Sequence, residues 1–337
     1  MSASNKLKNP FIWILLTVIF LGVGLYPTPK ATPVTYVERR THKIKTEKVA
    51  GEAWLKWLYY NPLGELTLQT LAKRKFVSDF YGWLMDTKWS AGKIKPFVKD
   101  FDIDLSISQK QHFETFNDFF TRKLKPSARP INNDSNVVVS PGDGKLLAYE
   151  DVTNENFIVK GYRFNIATFL HNDSLAGLYK NGSMILLRLC PTDYHRFHFP
   201  LGGIVSPETK INGALYSVSP IALHSMVDIF LLNKRQYIIL ANRRFGDVIM
   251  AEIGATMVGS IVQTFEGNQV TKGEEKGYFK FGGSSIILLF KKGTVKIDSD
   301  LLQNSKSGLE TQVSLGEQIG RINKPAVNNH AGKAQIK

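Results

Sequence analysis

From position 137 onward the chain is a succession of short aliphatic and β-branched runs separated by Gly, Pro and Asn. VVVS (137–140), MILLRL (184–189), YIIL (237–240), VIMAEI (248–253), VGSIVQ (258–263) and IILLF (286–290) have the length and composition of strands. No regular helix is expected between them, which disfavours a parallel sheet wound with crossover helices and leaves a mainly antiparallel sheet system. Neither a repeat of fixed period nor a low-complexity tract interrupts this texture.

Upstream the periodicity is different. Trp54, Trp57 and Leu58, then Val77, Phe80, Tyr81 and Leu84, recur at helical spacing, and 111–124 reads as a further helical piece before Pro126 and Pro130. The expected fold class is therefore α+β, with an N-terminal membrane segment and a helical region followed by a mainly antiparallel β catalytic domain. Five regions are expected: a membrane anchor (1–29), a basic linker (30–48), a helical membrane-proximal region (49–130), the β-rich domain (131–325) and a flexible tail (326–337).

The anchor reading rests on FIWILLTVIFLGVGLY (11–26), which carries no charge and lacks a convincing signal-peptidase site before Pro27. As a helix this run spans about 24 Å, slightly short of a ~30 Å hydrocarbon core. Lys30, Arg39, Arg40, Lys43 and Lys45 outweigh Lys6 and Lys8, which places the body on the cytoplasmic face. The stretch 30–48 has six Lys or Arg against two Glu, a charge that suits an anionic phospholipid surface. Trp54, Trp57, Tyr59 and Tyr60 around Lys56 suit either a core or the membrane interface.

The whole chain carries 43 Lys and Arg against 29 Asp and Glu, a formal charge of +14, so an anionic partner is expected. Nucleic acid is set aside, because no recognisable binding motif accompanies the charge. Cys190 is the sole cysteine, which excludes an intramolecular disulfide and leaves no cysteine pair to hold a structural zinc or an iron–sulfur cluster.

Candidate chemistry gathers beside three strand ends. Asp143 stands between two glycines in Ser140-Pro141-Gly142-Asp143-Gly144. His195 and His198 follow the MILLRL run; no third ligand sits at metal-binding spacing, so they are read as acid–base groups and no metal is expected. Gly282-Gly283-Ser284-Ser285 leads into IILLF. Asp143, His198 or His195, and Ser284 together make an Asp/His/Ser relay. The nucleophile-elbow pattern G-x-S-x-G fails, since Ile286 stands two residues after Ser284. A serine directly after Gly283 is better arranged to attack its own peptide bond. Arg188, Arg196 and Lys280 lie near these motifs and have the chemistry to bind phosphate, but charges flanking a strand are ordinarily solvated and they are not taken as site residues.

Phe119-Phe120-Thr121-Arg122 with Arg129-Pro130, Ser140-Pro141-Gly142-Asp143-Gly144, Asp193-Tyr194-His195-Arg196-Phe197-His198, Gly254-Ala255-Thr256-Met257-Val258-Gly259, and Lys272-Gly273-Glu274-Glu275 through Gly283-Ser284-Ser285 occur in order. In that combination the chain resembles the phosphatidylserine decarboxylases over about 60–319. Many members have Leu-Gly-Ser-Thr where this chain has Gly282-Gly283-Ser284-Ser285.

The resemblance implies cleavage between Gly283 and Ser284, with His198 and Asp143 activating Ser284. It implies a covalent pyruvoyl group derived from Ser284 as the cofactor-bearing residue, and no metal. It further implies phosphatidylserine as substrate, phosphatidylethanolamine and CO2 as products, and proton delivery by His195. The large and small chains would stay associated, and a homo-oligomer is compatible with this reading. Two other readings stand beside it: a membrane-anchored serine hydrolase using Asp143, His198 and Ser284 in trans, and a non-catalytic lipid-binding relative.

Overall fold

The computed structural model describes residues 10–28, 33–153, 164–226, 228–256, 261–282 and 284–323. Gly283, residues 257–260 and the tail expected at 326–337 lie outside the described residues. The fold is α+β and its sheets are mainly antiparallel, as the strand-like runs predict.

Seventeen strands are described: β1 (Thr35–Glu38), β2 (Lys43–Thr46), β3 (Val137–Val139), β4 (Gly144–Tyr149), β5 (Ser183–Leu189), β6 (Arg196–His198), β7 (Gly203–Val205), β8 (Thr209–Ile211) and β9 (Arg235–Asn242), then β10 (Gly246–Ile253), β11 (Ile261–Gln263), β12 (Gln269–Val270), β13 (Glu275–Phe279), β14 (Ser284–Phe290), β15 (Val295–Ile297), β16 (Glu310–Val313) and β17 (Gln318–Ile322). Among the described residues the main sheet has the order β12-β7-β9-β10-β14-β5-β4-β16-β1-β2, with β8 also on β9. β11-β13-β6 and β15-β17-β3 form two small sheets.

The continuous apolar run of β14 is explained by burial on both faces, because successive strand side chains point opposite ways. Ile286, Leu288 and Phe290 enter one core with Leu187, Leu189 and Ile238, whereas Ile287 and Leu289 enter the other with Met184, Leu186 and Ile249. β14 is clasped between β10 and β5, with Ser284 opposite Leu189 and Ser285 opposite both Arg188 and Ile253. The strand that begins at Ser284 is thus central to the fold.

Three expectations are modified. Short helices do intervene between strands, among them Ile166–Leu170, Pro220–Ser225 and Ser299–Lys306. Each is too short to carry a recognisable repeat. The helix expected over 111–124 is confined to Phe116–Phe120, where the Thr115 side chain accepts the Asp118 N–H and caps it. Within the stretch expected as a linker, β1 and β2 form a hairpin, and β1 pairs in parallel with β16. Tyr36 and Val37 supply the strand-forming side chains, and the charges around them hide the alternation.

The helices Glu52–Tyr60 and Lys75–Met85 occur where the periodicity places them. Met85, Phe116, Phe119 and Phe120 form a satellite core against which Tyr81, Phe97 and Phe281 pack. This core braces the segment just before Gly283.

The N-terminal apolar run forms the helix Pro10–Gly24. At 1.5 Å per residue it is about 22 Å long, and among the described residues no helix is long and apolar enough to cross a membrane. Its end is fastened to the body, since Trp57 Nε1 donates to Gly24 O at 3.1 Å and Asn61 Nδ2 to Val23 O at 2.9 Å.

Candidate active site

The turn between β3 and β4 is fixed from two sides. The Ser140 N–H donates to Glu317 O at 2.7 Å, and its hydroxyl donates to Gly142 O at 2.7 Å. A Cβ on Gly144 would lie 2.6 Å from Arg188 O, so only glycine lets β4 start this close to β5. Asp143, held on this turn, accepts from Arg129 Nε at 2.8 Å and Nη2 at 2.6 Å and from the Leu315 N–H at 2.8 Å. These bonds occupy both carboxylate oxygens.

His195 is fully buried immediately before β6. Its Nδ1 lies 3.0 Å from Asp193 O, and a carbonyl can only accept, so Nδ1 carries the proton in the neutral ring. Nε2 then presents a lone pair and has no partner among the described residues. The ring packs on Phe120 at 3.9 Å between centroids, and Phe120 in turn meets Phe281 edge-on. Burial pushes the imidazole down to about 3, with the nearby Arg122 charge acting in the same direction and the Asp193 and Gly282 backbone opposing it.

His198, at the end of β6, donates its backbone N–H to Pro141 O at 2.8 Å, which brings it beside the Asp143 turn. Its Nδ1 is buried and has no partner among the described residues. The ring stacks on Tyr194. Burial pushes it down to about 4, Arg196 reinforces this, and Glu275 and Asp143 pull the other way. Asp143 and His198 are neighbours, but the carboxylate hydrogen-bonds to Arg129 and Leu315 rather than to the imidazole.

Ser284 is the first residue of β14 and fully buried, and neither its Oγ nor that of Ser285 has a hydrogen-bond partner among the described residues. A buried hydroxyl without a partner is costly, of order 1–3 kcal/mol. Gly282 before it has φ 136°, a backbone conformation closed to most side chains. Gly283, the expected cleavage residue, lies outside the described residues.

A cavity of about 350 Å³ abuts Phe281 and Gly282. Trp54, Leu55, Phe97 and Phe101 give it apolar walls, and Ser217, Ser219 and Thr256 line it with hydroxyls.

Arg188, expected to be solvated, is buried: its guanidinium pairs with Glu47 at 2.6 Å and with Glu310. Glu47 comes from the stretch expected as a linker. Burial alone would raise its carboxyl, but Arg188 and Lys145 outweigh that and bring it to about 2. Arg196 likewise pairs with Glu275 at 2.7 Å, and Lys280 with Asp86 at 3.0 Å. The Lys280–Asp86 pair lies at the surface, as expected, whereas proximity to a strand end did not distinguish the Arg188 and Arg196 pairs from surface charges. Arg129 clamps Asp143 from 14 residues upstream, a contact that its place in the Arg129-Pro130 pair does not reveal without the fold.

The two buried neutral histidines fix a stability trend. Both have folded values depressed below the ordinary 6.5, so between pH 6.5 and 4 the unfolded chain binds more protons and stability is lost as the pH is lowered. Going from pH 7 to pH 5 is expected to cost about 2 kcal/mol per histidine. Denaturant titrations of uncleaved Ser284→Ala protein at the two pH values measure this, and adding His195→Gln should remove about half of the loss.

The family model described as phosphatidylserine decarboxylase matches residues 116–321. A Clostridium botulinum protein named phosphatidylserine decarboxylase proenzyme is 52% identical over 291 residues, covering 85% of this chain and 99% of that protein. Proteins of the same name from Fusobacterium nucleatum and Desulfitobacterium hafniense are 50% and 47% identical; each match covers 85% of this chain, and 97% and 98% of those proteins respectively. With identity of this extent laid over Asp143, the His195–His198 segment and the strand beginning at Ser284, the chain belongs to the phosphatidylserine decarboxylase family.

Proposed function

We propose that the chain matures by cutting its own Gly283–Ser284 bond and then decarboxylates phosphatidylserine to phosphatidylethanolamine and CO2. The observation that carries this reading is the buried, unpartnered Ser284 Oγ directly after the glycine pair, in a chain with family-wide identity. In the first step Oγ attacks the Gly283 carbonyl carbon and the C–N bond breaks, giving an ester. His198, with Asp143 as its neighbour, takes the Oγ proton and returns it to the departing nitrogen. Loss of the Ser284 Cα proton then breaks the Cβ–Oγ bond, freeing the upstream chain as a Gly283 carboxylate. The dehydroalanine left behind takes up water and loses ammonia, which leaves a pyruvoyl group.

A hydroxyl that finds no hydrogen-bond partner among the described residues fits a residue that is consumed. The pyruvoyl group supplies an electrophilic carbonyl that accepts the electron pair left when CO2 departs. His195, lying against the Gly282 backbone, holds the proton for the former α-carbon, and the apolar cavity beside Gly282 excludes water and takes the lipid. A hydrolase acting in trans is disfavoured, because Ser284 is enclosed within the protein.

The same reading places the body against an anionic bilayer on the cytoplasmic face. Phe11, Trp13, Ile14 and Val18 of the N-terminal helix and Phe76, Phe80, Trp83 and Trp89 are exposed, with Lys73, Arg74, Lys75 and Lys88 among them.

Intact-mass analysis tests maturation. The expected result is a large chain ending at Gly283 and a small chain beginning with pyruvoyl at position 284. The two should co-purify, since β14, β16 and β17 of the small chain pair with β5, β4 and β3 of the large one. A single uncleaved mass in active protein would overturn the reading.

A further inference from the structure

Five basic residues converge behind the site: Arg122, Arg129, Lys145, Arg188 and Arg196. Four have a carboxylate within 4 Å: Arg129 has Asp143, Lys145 has Asp193 and Glu47, Arg188 has Glu47 and Glu310, and Arg196 has Glu275. Arg122 has none among the described residues, although it is only 6% exposed. Its Nε has no hydrogen-bond partner among the described residues, its Nη1 reaches Phe119 O only at 3.4 Å, and its guanidinium lies 4.9 Å from the Phe119 ring centre. A buried cation left in this state is costly unless something else completes it.

Arg122 lines a polar cavity of about 410 Å³ together with Arg129, Lys145 and Tyr194. The carboxylates Asp143 and Asp193 on its wall are already engaged, by Arg129 and by Lys145 and the Cys190 N–H. The two others that line it, Asp102 and Asp104, are exposed and therefore screened by water. This cavity adjoins the apolar one next to Gly282, with Phe101 and Thr192 lining both. An apolar chamber and a chamber with one uncommitted guanidinium thus lie side by side.

We propose that Arg122 is an anion-binding residue and that the polar cavity receives a phosphate group, either within a phospholipid headgroup or as free phosphate. A guanidinium fork matches tetrahedral phosphate oxygens and supplies the unused N–H donors. The assignment to a headgroup rests on the decarboxylase reading; the anion site itself does not.

The first measurement needs neither maturation nor activity. Uncleaved Ser284→Ala protein, with and without Arg122→Gln, is titrated with inorganic phosphate and followed by ³¹P line broadening. Broadening by the single variant, at least about 10-fold weaker in the double variant, is expected from losing a charged hydrogen-bond donor. Arg122→Lys, which keeps the charge and loses the fork, should weaken binding by less and serves if the Gln variant does not fold. Equal broadening with and without the substitution, or none in Ser284→Ala protein, overturns the site.

The second measurement uses mature protein and phosphatidylserine in mixed micelles. For a headgroup site, Arg122→Gln raises KM roughly 10- to 100-fold and leaves kcat within a few-fold. Lost phosphate binding with unchanged KM assigns the site to free phosphate and overturns the headgroup assignment. Phosphate binding by a native protein that releases no CO2 from phosphatidylserine would overturn the decarboxylase reading and leave the anion site standing.

Discussion

Ser284→Ala is expected to remain a single full-length chain and to release no CO2 from phosphatidylserine. The substitution removes the only atom that can attack the Gly283 carbonyl from position 284, so both the cut and the group made from it are lost. It should leave the fold intact. Alanine fills the same buried position opposite Leu189 and removes a hydroxyl that had no hydrogen-bond partner among the described residues, so stability is expected to hold or rise by about 1 kcal/mol. Denaturing electrophoresis and intact mass read the outcome; a two-chain product with activity would remove Ser284 from the mechanism. Asp143→Ala and His198→Ala should also accumulate precursor, cleaving on the order of 10²–10⁴ slower. For Asp143 the expected loss is more complex, because its carboxylate also holds Arg129 and the Leu315 N–H. Asp143→Asn keeps a carbonyl for the Leu315 bond and separates the two roles.

What the sequence reveals of this fold follows from how local each determinant is. β5, β10 and β14 were legible because their apolar runs are buried on both faces, a condition written into consecutive residues. The β1–β2 hairpin was hidden, since four Lys or Arg lie within 39–45 and only its pairing with β16, over 260 residues away in sequence, makes a strand of it. The helix at Phe116–Phe120 was overextended for a related reason. Its Phe residues face a satellite core whose size, set by Phe97 and Phe281, limits how much helix can be covered. At the site, Asp143, His195, His198 and Ser284 were readable as residue types in motifs. Their partners were not: the Arg129–Asp143 clamp, the Arg188–Glu47 pair and the isolation of Arg122 depend on contacts between distant segments.

The structure gives the two histidines different settings. His195 precedes β6 and its ring packs on Phe120, with the Gly282 backbone as a neighbour, whereas His198 ends β6 beside Pro141 and Tyr194. Along an extended strand His198 shares a side with Arg196 and not with Phe197, so three residues carry the chain from one environment to the other. If His198 serves the serine and His195 the decarboxylation, His195→Ala should be cut at Gly283 and carry the pyruvoyl group. It should then turn over phosphatidylserine on the order of 10²–10⁴ more slowly, the typical cost of losing a positioned general acid. In the uncleaved chain burial holds His195 neutral, with its free Nε2 a base. An anionic substrate beside it would raise its pKa and let it act as an acid. Consequently kcat should fall at high pH as His195 loses its proton in the complex, and His195→Ala should lack that limb. Accumulation of full-length His195→Ala precursor, or near wild-type turnover after normal cleavage, would transfer or abolish the role given to His195.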